Sequence, residues 1–121
     1  MNKRETGTMG EKLACDFLYR NGYDIIETNY RCPEGEIDIV ARQGHTLVFV
    51  EVRTKTGRWF GRPEESITPL KMARLRTAAA RYDESHFGLP EDRRIDVIAI
   101  EMSGKGRVSR IELIENAVDG D

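Results

Sequence analysis

The sequence predicts a single α/β domain built around a mixed β-sheet. Three observations carry that prediction. The first is the succession of hydrophobic periods, which runs α-β-β-β-α-β-β along the 121 residues. The second is a hairpin in GEIDIVARQGHTLVFVEVRTK, Gly35 to Lys55, where two Ile/Val-rich runs flank Gln43-Gly44-His45. The third is a helix between the third and fourth strands, a crossover that is right-handed where the strands it joins are parallel.

Each element follows from its own residues. Residues 1–7 are polar and expected to fray, and Thr8 with Glu11 has the S/T-x-x-E pattern of a capping box. Met9, Leu13, Ala14, Phe17 and Leu18 then recur at helical spacing until Gly22. Tyr23 to Tyr30 reads as a strand, and Arg31-Cys32-Pro33-Glu34-Gly35 as a turn. The hairpin comes next. The glycine-rich stretch from Thr54 to Thr68 is a loop without the pattern of a phosphate-binding loop. Its Trp59 and Phe60 either pack inward or stack on a base. Thr68-Pro69 opens the second helix, Thr as N-cap and Pro at the first position, with Met72, Leu75, Ala79 and Tyr82 as its buried stripe. Arg94 to Glu101 reads as an interior strand and Arg107 to Ile114 as the last one.

Composition narrows the class. One domain, residues 1–121, with one core suits this length. No apolar run is long enough for a membrane span, and MNKRETGTMGEK lacks the apolar stretch of a secretory signal. Cys15 and Cys32 have neither zinc spacing nor a disulfide framework, so a reducing cytoplasm is the expected setting. His45 and His86 are isolated and read as surface residues. Net charge is -2, yet Arg53 to Arg81 holds eight basic residues against two acidic ones. That local excess predicts either a polyanion surface or a solvated basic helix face.

The hairpin carries the chemistry. Strand alternation puts Ile37 and Ile39 on one side and Glu36 and Asp38 on the other. On the second strand Glu51, Arg53 and Lys55 share a face opposite Val48, Val50 and Val52. If the branched residues face one core, Glu36, Asp38, Glu51 and Arg53 share the opposite side. A four-residue connection would set Asp38 across from Glu51 and Glu36 across from Arg53, and a three-residue loop with a bulge at Gly44 would restore the same parity. Adjacent carboxylates repel each other unless a hard divalent cation takes their oxygens. Such a charged face is also what an ordinary solvated hairpin presents.

The element order, together with GEKLACDFL, NGYDIIETNYR, GEIDIVA, LVFVEV, FGRPEESI, KMARLRTAAARY, RIDVIAIE and IELIENAV, resembles the YraN family of small bacterial proteins. That family lies within the PD-(D/E)xK nuclease superfamily and is similar in fold to Holliday-junction resolvases. The resemblance implies a restriction-endonuclease-like α-β-β-β-α-β core with an extra C-terminal strand. It implies Mg²⁺ or Mn²⁺ held by Asp38, Glu51, the Val52 carbonyl and Glu11, with Glu36 as an auxiliary carboxylate. Arg53 stands where the superfamily has Lys. Arginine stays charged and cannot act as a base, so Arg53 or Lys55 would neutralise developing charge. The implied activity is metal-dependent hydrolysis of DNA phosphodiesters, on branched or damaged forms, by a homodimer. Arg58, Arg62, Lys71, Arg74 and Arg76 would bind the nucleic acid. The alternatives are a non-catalytic nucleic-acid-binding module with the nuclease fold and, more remotely, a protein-interaction adaptor.

Overall fold

The computed structural model describes residues 2–57 and 61–117. The element order is α1 (Lys3–Arg20), β1 (Asp24–Cys32), β2 (Gly35–Gln43), β3 (Thr46–Thr56), a short 3-10 helix (Pro63–Ser66), α2 (Pro69–Ser85), β4 (Asp92–Met102) and β5 (Val108–Ile114). The five strands form one mixed sheet in the order β1-β2-β3-β4-β5. β3 and β4 are parallel, as a helical crossover requires, and the other neighbours are antiparallel. The α-β-β-β-α-β-β order and the mixed sheet are those expected from the sequence. No helix among the described residues is long and apolar enough to cross a membrane.

One helix covers each face, so the sheet buries both sides rather than one. Ile39, Ala41, Val48, Val50, Ile98 and Ile100 pack against Ala14 and Leu18 of α1. Ile37, Val40, Leu47, Phe49 and Ile95 pack against Leu75, Ala78, Ala79 and Tyr82 of α2. Each large apolar side chain buried this way stabilises the fold by roughly 1.5–3 kcal/mol. Within β4, the fully buried Asp96 accepts Arg94 Nε and the Asn116 N–H, while Arg94 also donates to the Tyr23 hydroxyl.

Three local expectations change. α1 begins five residues before Thr8. Its N-cap is Asn2, whose Oδ1 accepts the Glu5 N–H at 2.8 Å while its amide donates to Glu5 Oε1. Thr8 donates to the Arg4 carbonyl inside the helix, so Glu11 is not a cap. The β2–β3 connection is the two-residue turn Gly44-His45, with Gly44 at φ 58. It keeps the register predicted for a four-residue connection but pairs one step closer to the tip. Finally, Ile37 and Ile39 do not share a face. Ile39 lies in the α1-side core and Ile37 in the α2-side core. At the second helix, Thr68 and Pro69 start α2 as expected.

Candidate metal centre

The break between Ile37 and Ile39 falls on Asp38. On the neighbouring strand, Thr28 pairs with Ile39 and Tyr30 with Ile37, and the intervening Asn29 has φ 55. Asn tolerates the left-handed region better than most residues, and one such residue is enough to turn the following side chains to the other face. The β2–β3 ladder also stops here, at Ile39–Val50. Extending it by one pair would set Asp38 across from Glu51. Instead, Asp38 Oδ2 accepts the Val52 N–H at 2.7 Å, doing the work of a ladder carbonyl.

This opening in the sheet is reached from both helices. α1 supplies Glu11. It can lie close because residue 10 is glycine: a Cβ there would sit 2.2 Å from Thr54 Oγ1 on β3. α2 supplies Lys71, whose Nζ is 3.5 Å from Glu51 Oε2. Arg53 Nη1 lies 3.4 Å from the same oxygen, and its Nη2 donates to the Ser66 carbonyl at 3.0 Å. Asp38, Glu51, Val52 and Glu11 all line one cleft of about 730 Å³, together with Glu36, Arg53 and Lys55.

The electrostatics are those of crowded carboxylates. Glu51 is 2% exposed, and its carboxyl is pushed up to about 8. Burial is the main cause and Asp38 adds to it, against the opposing pull of Lys71 and Arg53. Glu11 is raised by burial and then by Asp38 and Glu36, with a hydrogen bond from the Asn29 side chain working the other way. Oε1 of Glu51 and Oε1 of Glu11 are buried without a hydrogen-bond partner. Buried oxygens of this kind are costly unless a donor or cation meets them. Among the described residues, no three His, Cys, Asp or Glu side chains close by themselves into a metal-binding group. The acidic side chains that line the cleft offer hard oxygen donors only. That suits Mg²⁺ or Mn²⁺, which keep several water or phosphate ligands, better than a caged structural ion.

The basic residues divide. Lys71 was expected to bind nucleic acid and lies at the carboxylates. Arg74 is exposed and lines an adjoining groove with Arg31 and Gly35. Arg62 is exposed beside the 3-10 helix that it caps, and Arg76 is half-buried. Arg58, Trp59 and Phe60 lie outside the described residues. Arg81 is bound to Glu34 through Nε at 2.6 Å. The histidines differ from each other: His45 is exposed, whereas His86 is half-buried and stacks on Tyr82 at 3.7 Å between ring centroids.

Sequence reasoning missed the reach of Lys71 to Glu51. One signal was present: Lys71 sits in the first turn of a helix, where a cation opposes the macrodipole and acidic residues are favoured.

Comparison with known proteins gives a consistent picture. A model of the uncharacterised protein family UPF0102 matches residues 10–100. The chain is similar to a UPF0102 protein of Dehalococcoides mccartyi, 48% identical over 117 residues that cover 97% of this chain and 95% of that protein. It is similar to one of Moorella thermoacetica, 45% identical over 117 residues, 97% of this chain and 98% of the relative. A third, from Geobacter metallireducens, is 41% identical over 119 residues, 98% and 96% of the two chains.

Proposed function

This chain belongs to the uncharacterised protein family UPF0102, whose description names no activity, and from its cleft we propose that it is a metal-dependent endonuclease acting on DNA. The observation that carries the proposal is the pair of buried, partnerless oxygens on Glu51 and Glu11 in the cleft that Asp38 shares. Asp38, Glu51, the Val52 carbonyl and Glu11 are the groups that would hold Mg²⁺ or Mn²⁺. When bound, the ion would polarise a phosphoryl oxygen and lower the pKa of a water.

The chain's own residues do the rest. Asp38, anchored by the Val52 N–H, lines the cleft. Glu51 is held between Arg53 and Lys71. Those cations, with Lys55, place positive charge where a phosphate gains negative charge. A second reading, a nucleic-acid-binding module without turnover, draws on Arg53. That residue replaces the superfamily's Lys and is tied to both Glu51 and the Ser66 carbonyl.

Calorimetry with Mn²⁺ and nicking of branched and linear DNA, on the wild type and on Asp38→Ala, test the proposal. Mn²⁺ binding and metal-dependent nicking should be present in the wild type and lost in Asp38→Ala. If both proteins bind DNA equally and neither nicks any substrate, the binding-module reading replaces the nuclease.

A further inference from the structure

Resting on the nuclease reading of this cleft, we propose that Lys71 of α2, rather than residue 53 of β3, supplies the ammonium that contacts the scissile phosphate. The starting point is where the helix puts it. Thr68 and Pro69 fix the start of α2, and the Lys71 N–H is held by Thr68 Oγ1 at 3.1 Å. A lysine in that first turn gains nothing from the helix, because the macrodipole there is already positive. Its placement adds positive charge to an end of the helix that already attracts anions.

The second observation is what the ammonium reaches. Lys71 Nζ lies 3.5 Å from Glu51 Oε2, and the side chain is 28% exposed. Glu51 thus orients the ammonium at the carboxylate pair without sealing it from solvent. An ammonium carries three donors, so an ion pair with one oxygen leaves capacity for a phosphate oxygen. Arg53 differs. One end of its guanidinium faces Glu51, the other is spent on the Ser66 carbonyl, and its Nε is buried without a partner. It is fixed in the wall of the cleft as a positioning residue for Glu51.

The third observation is connectivity. Lys71 and Glu36 line both the carboxylate cleft and the adjoining groove that continues past Arg74 and Arg31. Lys71 and Arg74 are three residues apart on one helix and lie on the same side of it. A nucleic-acid backbone lying in the groove would pass Arg74 and deliver its next phosphate to Lys71 beside Asp38 and Glu51.

The test is kinetic and uses the full chain with branched DNA. Wild type, Lys71→Gln, Arg53→Gln and Arg53→Lys are compared at saturating Mn²⁺, with Mn²⁺ affinity measured separately by calorimetry. Lys71→Gln should lower kcat by about 100-fold or more, the usual scale for one lost electrostatic stabiliser. Its Mn²⁺ affinity should change only a few-fold, and more Mn²⁺ or higher pH should not recover the rate. Arg53→Gln should be milder in kcat and repaired by Arg53→Lys. If Lys71→Gln melts early, Lys71→Met keeps the aliphatic stem and decides. Lys71→Gln cleaving within threefold of wild type overturns this inference alone. A defect that disappears at high Mn²⁺ also overturns it, because Lys71 would then be only the counter-ion of Glu51. A wild type that cleaves no substrate with any metal overturns the nuclease reading and this inference with it.

Discussion

Glu51 decides how the cleft responds to pH. Its folded-state carboxyl titrates near 8, against 4.5 when unperturbed. Between those values the unfolded chain has released a proton that the folded chain keeps. Metal-free stability should therefore fall as pH rises from about 4.5 to about 8. Removing the charge reverses this: Glu51→Gln should melt higher than wild type at pH 8 and close to it at pH 5, measured by thermal unfolding in chelator. The same proton competes with a cation. Mn²⁺ affinity should rise roughly tenfold per pH unit below the Glu51 midpoint and level off above it, since binding releases one proton. A flat calorimetric profile between pH 6 and 8 would remove Glu51 from the ligand set.

Among the elements, the contact of α1 with β3 matters most for the site, because it brings Glu11 to the cleft. Gly10 is the point of closest approach. Gly10→Ala would favour the helix by about 1 kcal/mol on propensity alone. The 2.2 Å approach to Thr54 Oγ1 outweighs that gain. Overpacking of this kind costs about 1–3 kcal/mol. The variant should be destabilised in denaturant melts, and its Mn²⁺ affinity should weaken as Glu11 is displaced. Gly10→Ala combined with Thr54→Ala should recover stability relative to Gly10→Ala alone, a coupling that a double-mutant cycle measures. On the other side, Arg110 of β5 grips Glu64 with two bonds of 3.0 and 2.9 Å. That grip holds the 3-10 helix whose Ser66 carbonyl anchors Arg53.

For the whole molecule, a net charge of -2 supplies no overall attraction to a polyanion, so the proposed DNA binding would depend on where the cations are. Lys71 and Arg74 border the cleft and its groove, and Arg62 is exposed at the start of the 3-10 helix. Three phosphate contacts would give a slope of log affinity against log salt on the order of -3, at about -0.9 each. Arg74→Glu should make that slope shallower by about 0.9 and weaken binding on every sequence alike, read by fluorescence anisotropy across a salt series. An unchanged slope would take the groove out of the nucleic-acid path.

The pairing of the hairpin and the cap of α2 are local, and they were legible. The hairpin register followed from the spacing of Ile, Val and acidic residues, and the start of α2 followed from Thr68-Pro69, because each depends on neighbours within a few residues. At the first helix the local pattern misled: residues 1–7 were expected to fray and Thr8 with Glu11 to form the cap, whereas Asn2 takes the cap and Glu11 is left to the cleft. The alternation that would have put Ile37 beside Ile39 breaks at Asp38, between strand positions that flank Asn29 at φ 55 on the neighbouring strand. Lys71 meets Glu51 across twenty residues of chain. Periodicity says which face a residue takes on its own element. How close two faces come is set by the packing of α1 and α2 on opposite sides of the sheet, and that is a property of the tertiary structure.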